Sequence, residues 1–549
     1  MTIFGRLRSR RALLATLFAA VAVVAVACQP VKPPPEQQPG FPPFGGLIET
    51  NPPLFPHFST DITDYVSRCN ANTFVLFSVN APQDTTVSVD GQPPASGQFN
   101  TFTIRDYNQS FPIVVQGPSG PPTTHYVRCL PPDFPDWSAQ RNGQTEAGFY
   151  LTSPTGTPVI FDNNGVPIWW WTGPNPGTSF STFFNGHVTF GISAGGPNTG
   201  LPANDHFEEH ALDGSLVKSF NTVGAESDGH DVIRLPNGNY AMVTSELHDA
   251  DIPTAWGNPN LPDDPIIDHV IQEVTPQGAL VWSWRTSDHI PPAETPDHWR
   301  GTLIGIDAVS HFYDIYHWNS IEWTGSGFIV SYRHEDAVYK IDQTTSSIVW
   351  KLGGSDHNDC VNLVCVPKSL EIDNDPIGNF SGQHDARLLS DGSVTVHDNQ
   401  TFNGHPPRAV RYTIDTNPIP PVTGKAGTAT LQESVTDPLA QSSFCCGSAR
   451  KLSLPNGHWV IGWGGTAQPP GSTGDQVTEE KDGNTVVFEL LVHGLVNPLY
   501  RAVPILPNQL SREDLRAGMD AQVAGSQSAG TQSVKPQTPN AKIGPEPAP

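Results

Sequence analysis

Basic side chains are scarce in this chain: 29 lysines and arginines face 54 aspartates and glutamates, for a net charge of -25. No basic stripe with interleaved aromatics interrupts that acidity, so the field repels nucleic acid and a polyanionic partner is excluded. An anionic small molecule is not excluded, because a few cations in a low-dielectric cleft reverse the field locally. An apolar run long enough to cross a bilayer is also missing. The N-terminal stretch "MTIFGRLRSRRALLATLFAAVAVVAVAC" holds about 15 apolar residues behind a cluster of arginines, too short for a membrane helix, and reads as a signal peptide over 1–27. Ser9-Arg10-Arg11 resembles a twin-arginine start, and "AVAC" resembles a lipoprotein box with Ala25 in place of the usual leucine. Export is therefore expected, with Cys28 either lipidated or removed with the leader, and a lipid there would be the chain's one link to a membrane. The proline-rich stretch 28–47 suits a stiff tether.

Cysteine is sparse, with seven in the chain and six after the leader, an even number in an oxidising compartment where thiols pair. Cys69 with Cys129 is the first expected disulfide, and Cys360 with Cys365 is spaced to close a short loop. The adjacent Cys445 and Cys446 are awkward to join to each other, which leaves their pairing open. Turn formers, by contrast, abound: 55 prolines and 50 glycines imply many short strands. Over 48–133 polar and apolar residues alternate ("TFVLFSVNA", "TTVSVDG"), which predicts a small β-sandwich. The stretch 509–549 has few apolar residues and reads as a disordered tail.

Between them, over 134–508, one pattern recurs. "HDVIRLPNGNYAMVTSE", "HWNSIEWTGSGFIVSYRHE", "HDARLLSDGSVTVHDNQ" and "SARKLSLPNGHWVIGWGGT" each read as strand, glycine turn, strand. Segments such as "TPQGALVWSW" and "TTSSIVWKLGG" supply the other half of the unit, with Trp169, Trp282 and Trp350 at strand ends as packing between units. A four-stranded antiparallel unit hides both faces only when copies stack radially, so the expected fold is all-β, a six-bladed β-propeller with units beginning near 148, 178, 230, 317, 384 and 447.

Aligned on their turn glycines, three units place a histidine in the same register. His230, His317 and His384 each lie eight residues before Gly238, Gly325 and Gly392. Equal register on the innermost strand means equal facing, so the three imidazoles converge near the channel mouth. Asn319 follows His317 by two residues, and Arg333 lies across the hairpin from it; Glu246 and Gln400 hold the equivalent returning positions. His187, His206, His210, His248, His269 and His289 share no register and read as surface or loop residues. Three imidazoles suit a catalytic metal, but an adjacent arginine repels a cation, so no metal and no cofactor is expected. The same arginine suits a neutral imidazole that attacks an electrophilic anion.

The segments "GHDVIRLPNGN", "DIYHWNSIE", "SYRHEDAVYKID" and "GQHDARLLSDGS" resemble the bacterial arylsulfate sulfotransferase family that works without the nucleotide sulfate donor, over about 135 to 505. The resemblance implies a six-bladed propeller with an appended β-sandwich, and aryl sulfates and phenols as substrates. By position, it implies His384 as the transiently sulfated histidine, with His230, His317, Asn319 and Arg333 binding the sulfuryl oxygens and assisting proton transfer. It also implies a short-loop disulfide before the nucleophile, with Cys360 and Cys365 as its counterpart. Two other readings stay open: a non-catalytic propeller that binds sulfated ligands, and a metal-dependent hydrolase or oxidoreductase on the same scaffold.

Overall fold

The computed structural model describes residues 40–178, 180–192, 206–355, 360–361, 364–417, 426–467, 475–494 and 499–532. The leader over 1–27, Cys28 and most of the 28–47 linker lie outside these residues. The first folded body is two sheets face to face. Ile48–Asn51, Val75–Ala81 and Gly97–Thr103 make one, and Leu54–Phe55, Asp64–Ser67, Thr123–Cys129, Ser110–Gln116 and Thr86–Val89 the other. The period of two is visible in Ser110–Gln116, whose residues alternate between partly exposed and buried. Phe77 and Val79 from one sheet meet Phe111 and Ile113 from the other in a single apolar core. A disulfide joins Cys69 to Cys129, both fully buried at the edge of that core.

The second body is a ring of six sheets. Blades two, three and four are four-stranded meanders: Ser181–Phe220, Ile233–Arg285 and Trp318–Gly353 from first strand to last. Blade five runs from His384–Leu388 outward to Thr428–Val435, with Glu371–Asp373 added in parallel at its edge. The ends of the ring are closed by exchange. Trp137–Arg141 pairs on the outside of blade six, and Val503–Ile505 forms the innermost strand of blade one, beside Phe149–Thr152. Each wedge between blades is filled with apolar side chains. Phe220 of blade two stacks on Tyr240 of blade three, 4.0 Å between centroids. Val338 and Leu352 meet Val394 and Val396, Ala409 and Val435 meet Trp459 and Ile461, and Phe149 shares a cluster with Phe488. Burying a side chain of this size contributes about 1.5–3 kcal/mol, so the radial contacts carry the stability that one blade lacks. Trp169 and Trp350 are buried in these wedges, and Trp282 lies against Phe328 of the next blade.

One expectation is corrected here, and one pairing left open is filled in. The stretch read as a disordered tail from 509 contains the helix Arg512–Gln532. Leu515, Met519 and Gln522, at i, i+4 and i+7, are buried on one face, and Leu515 and Met519 join the core that holds Trp169 and Trp170. Arg516 binds Asp64 of the sandwich at 2.7 Å, and Arg512 reaches both Asp64 and Asp162. A short apolar stripe flanked by paired arginines orders a segment whose average composition is polar. Cys445 and Cys446 are joined to each other as a vicinal disulfide, in a turn where Cys446 adopts φ 68°. The backbones of Cys360 and Cys365 face each other in a short antiparallel pair, while their side chains lie outside the described residues.

Candidate functional site

The innermost strands deliver the histidines to one place. His230 and His317 lie just ahead of the first strands of blades three and four, and His384 opens the first strand of blade five. The rings of His230 and His317 stand edge to face, 5.3 Å between centroids. Tyr500 bridges the set, 5.7 Å from His230 and 6.1 Å from His384. Arg333 donates its backbone N–H to His317 O at 3.0 Å, as the hairpin reading expects. Asn319 is buried, and its Nδ2 donates to Gln383 O at 2.7 Å, next to His384. Glu246 and Gln400 do not join the site: Glu246 pairs with Arg285, and Gln400 turns back to Asp398 and Asn379. His210 and His269 are buried rather than surface residues, and His269 lies beside Ser245, which donates to Asp228 at 2.6 Å.

Each histidine has its own Nδ1 partner. Nδ1 of His230 meets the Asp228 carboxylate, and Nδ1 of His317 meets Asp314. Nδ1 of His384 instead meets two neutral acceptors, Asn399 Oδ1 at 2.8 Å and Gly382 O at 2.9 Å. In a neutral ring Nδ1 therefore carries the proton at all three and Nε2 carries the lone pair. The electrostatics separate them further. Burial works to lower His230, but the charge and hydrogen bond of Asp228 outweigh it and hold His230 above the usual value. Burial lowers His317, with Arg333 and His230 adding to it against the pull of Asp314. Burial, then Arg333, drives His384 well below the usual range, so it is neutral at ordinary pH. Burial resists the ionisation of Asp228, yet His230 draws it down to about 2.

Arg333 lies 4.6 Å over the Trp299 ring, donates to Phe444 O, and its Nη1 is 2.6 Å from His334 Nε2. Burial lowers it to about 10, which leaves it charged near neutrality. Its Nε is buried and, among the described residues, has no hydrogen-bond partner, which leaves a donor that an anion's oxygen would satisfy. Asp314, His317 and His334 have ligand atoms within 4.8 Å of one another, close enough to hold a metal ion. Nδ1 of His317 already bonds to the Asp314 carboxylate and Nδ1 of His334 to the Asp314 backbone carbonyl, and a cation there would face the Arg333 guanidinium. The donor set fits an oxyanion better than a metal.

The residues that follow His230 and His384 belong to a buried ion lattice. Asp231 binds Arg387 at 2.7 Å and Arg501 at 3.0 Å, while Asp385 binds Arg387 at 2.8 Å and Arg450 at 2.7 Å. Asp231 also accepts from Ile321 N at 3.0 Å. These contacts tie the inner strands of blades one, three, four, five and six together, which fixes where the histidines point. Such a lattice serves specificity of arrangement more than net stability.

His334, Tyr500 and Asn399 escaped the sequence reading. His334 follows Arg333, and strand alternation would send it to the opposite face, but the 3-10 turn Arg333–Glu335 brings both to the site. Tyr500 had a usable signal: it precedes Val503 by three residues, as His230 precedes Ile233.

A family model described as Arylsulfotransferase (ASST) matches residues 137–497. No curated protein matches the chain. Among solved structures, it is similar to the β-propeller domain of Cps50 (Swd1) from Myceliophteria thermophila, at 11% identity over 65% of this chain and 98% of that one, TM-score 0.30. It is also similar to a putative 6-phosphogluconolactonase from Bacteroides fragilis, at 10% identity over 77% and 97%, TM-score 0.29.

Proposed function

The chain belongs to the arylsulfotransferase family, and on that premise we propose that it moves a sulfuryl group from an aryl sulfate to a phenol through a covalent sulfohistidine at His384. The observation that carries this reading is the setting of His384: its Nδ1 faces two acceptors, Asn399 Oδ1 and Gly382 O, and its burial and Arg333 favour the neutral ring, which puts the lone pair on Nε2. That is the form a nitrogen nucleophile needs.

In the first half-reaction, Arg333, His317 and Asn319 orient the sulfate oxygens while Nε2 of His384 attacks sulfur. The N–S bond forms, the S–O(aryl) bond breaks, and its electron pair leaves with the aryl oxygen. His230, raised by Asp228, is the group best placed in proton affinity to protonate that oxygen. In the second, a phenol enters, His230 takes its proton, the phenol oxygen attacks sulfur and the electron pair of the N–S bond returns to Nε2. The sulfuryl group resembles a transferring phosphoryl group, so positioning and charge stabilisation supply most of the rate. The N–H of Cys446, 3.1 Å from Nε2, yields the lone pair to sulfur and turns to a sulfuryl oxygen.

The test is turnover of 4-nitrophenyl sulfate with and without phenol, in the parent and in His384→Ala. Phenol-dependent nitrophenol release that survives EDTA, with an acid-labile sulfate on His384 that the variant lacks, is the expected result. A variant as fast as its parent assigns the nucleophile elsewhere, and loss of parent activity in EDTA favours the metal at Asp314, His317 and His334. Export with a lipid on Cys28 is part of the proposal, and fatty-acid labelling lost in Cys28→Ala checks it.

A further inference from the structure

We propose that Asn399 is the positioning residue that sets the tautomer of His384, and that its being a neutral amide rather than a carboxylate keeps this histidine a nucleophile while His230, on Asp228, remains the acid–base group. The orientation of the amide is fixed from its far end. Nδ2 of Asn399 donates to Cys446 O at 2.8 Å and to Ser443 Oγ at 2.7 Å, and that hydroxyl donates on to Gly464 O at 2.9 Å. A backbone carbonyl only accepts, so the nitrogen must face Cys446 and Oδ1 must face His384. Asn399 is fully buried and His384 is 2% exposed, so solvent is not an alternative partner.

Both atoms beside Nδ1 of His384 are thus acceptors, and among the described residues the donor at its other nitrogen is Cys446 N–H at 3.1 Å. The opposite tautomer would set a lone pair against two oxygens and an N–H against an N–H. The contrast with His230 and His317 supplies the second half of the inference. Their Nδ1 protons face the carboxylates of Asp228 and Asp314, which favour the protonated ring. An amide gives the same direction without that charge. The charged and titratable groups that act most on His384 are Arg333, His397 and His317, with Tyr500 against its ring, and the carboxylate next in the chain, Asp385, is turned to Arg387 and Arg450.

The catalytic consequence rests on the sulfohistidine reading, but the tautomer does not. With ¹⁵N-labelled histidine and His384→Gln to assign the signal, the parent is expected to show Nδ1 protonated and Nε2 bare at neutral pH. Asn399→Asp, nearly isosteric, should hold the imidazolium form to a proton concentration at least about tenfold lower and shift the acid limb of single-turnover sulfation upward by the same factor. Asn399→Leu should mix the tautomers and slow sulfation about tenfold or more, with KM within about twofold. An Nε2-protonated ring in the parent overturns the proposal whether or not the variants fold. So does an Asp variant whose His384 titrates as in the parent. If the tautomers behave as expected while the parent forms no sulfohistidine, the transfer reading fails and the positioning role stands.

Discussion

His230 and His317 make the same kind of contact, Nδ1 to a buried carboxylate, yet their proton affinities part: burial lowers both, but Asp228, helped by Asp314, outweighs it at His230, whereas at His317 Arg333 and His230 add to burial against Asp314. The difference gives the two half-reactions opposite pH dependence. With phenyl sulfate, a poor leaving group, sulfation of His384 requires His230 protonated and should slow as pH rises through its raised pKa. Transfer to phenol requires it neutral and should quicken through the same point. Asp228→Asn removes the charge that raises His230 and leaves burial, which lowers it, so both limbs should move to lower pH. Single-turnover rates from about pH 5 to pH 9 measure this; limbs that run in parallel, or that stay put in Asp228→Asn, would show that His230 is not the proton carrier. The same ion pair has a stability sign. Asp228 titrates lower in the folded chain than its ordinary 3.8, so its contribution is full above that value and is lost as pH falls toward about 2. At this scale the sequence was informative where a spacing repeats and silent where it does not. The three histidines share an eight-residue interval to a glycine, whereas nothing in "VHDNQ" marks Asn399 as the partner of His384, since that contact depends on Cys446, 47 residues on.

The turn that carries the vicinal pair shows how one element serves three residues of the site. Cys446 offers its N–H to His384 and its carbonyl to Asn399, and Phe444 offers its carbonyl to Arg333. Gly447, at φ 105°, has no room for a Cβ because the His397 ring lies against it. A disulfide between neighbours closes almost no loop, so it contributes little through chain entropy. The Cys69–Cys129 bridge, with a sequence separation of 60, contributes about 4 kcal/mol on the same model. Replacing both Cys445 and Cys446 by serine should therefore move Tm by less than about 3 °C while lowering the rate of His384 sulfation about tenfold, since one lost hydrogen-bond geometry is worth roughly that factor. An unchanged rate would mean that the turn keeps its shape without the bond. Strand alternation and turn glycines made the blades readable in the sequence. The 3-10 turn at Arg333–Glu335 and the helix Arg512–Gln532 were not, because one breaks the alternation and the other hides a sparse apolar stripe in polar composition.

The ring is closed by the ends of its own sequence, and the closing strand also completes the site. Val503–Ile505 is the inner strand of blade one, and the residues just before it are Tyr500, between His230 and His384, and Arg501, which binds Asp231 and donates to Asn319 O at 3.1 Å. The described hydrogen bonds and ion pairs of the helix that follows go elsewhere. It covers Trp170 and links the sandwich to blade one through Arg512, Arg516 and the Arg128–Asp520 pair. Stability and catalysis therefore separate along a few residues of chain. Ending the chain after 508 removes the burial of Leu515 and Met519, about 1.5–3 kcal/mol each, and should lower Tm while kcat stays within about twofold, because no site contact is lost. Ending it after 498 removes Tyr500, Arg501 and the closing strand, leaves Asp231 and Asp385 short of a cation in a buried lattice, and should abolish both cooperative unfolding and sulfotransfer. Thermal unfolding and nitrophenol release on the two truncations decide it. If the shorter chain kept activity, the inner strand of blade one and Tyr500 would have no part in the site; if the longer one lost it, the helix would reach the chemistry by a route that its contacts do not contain.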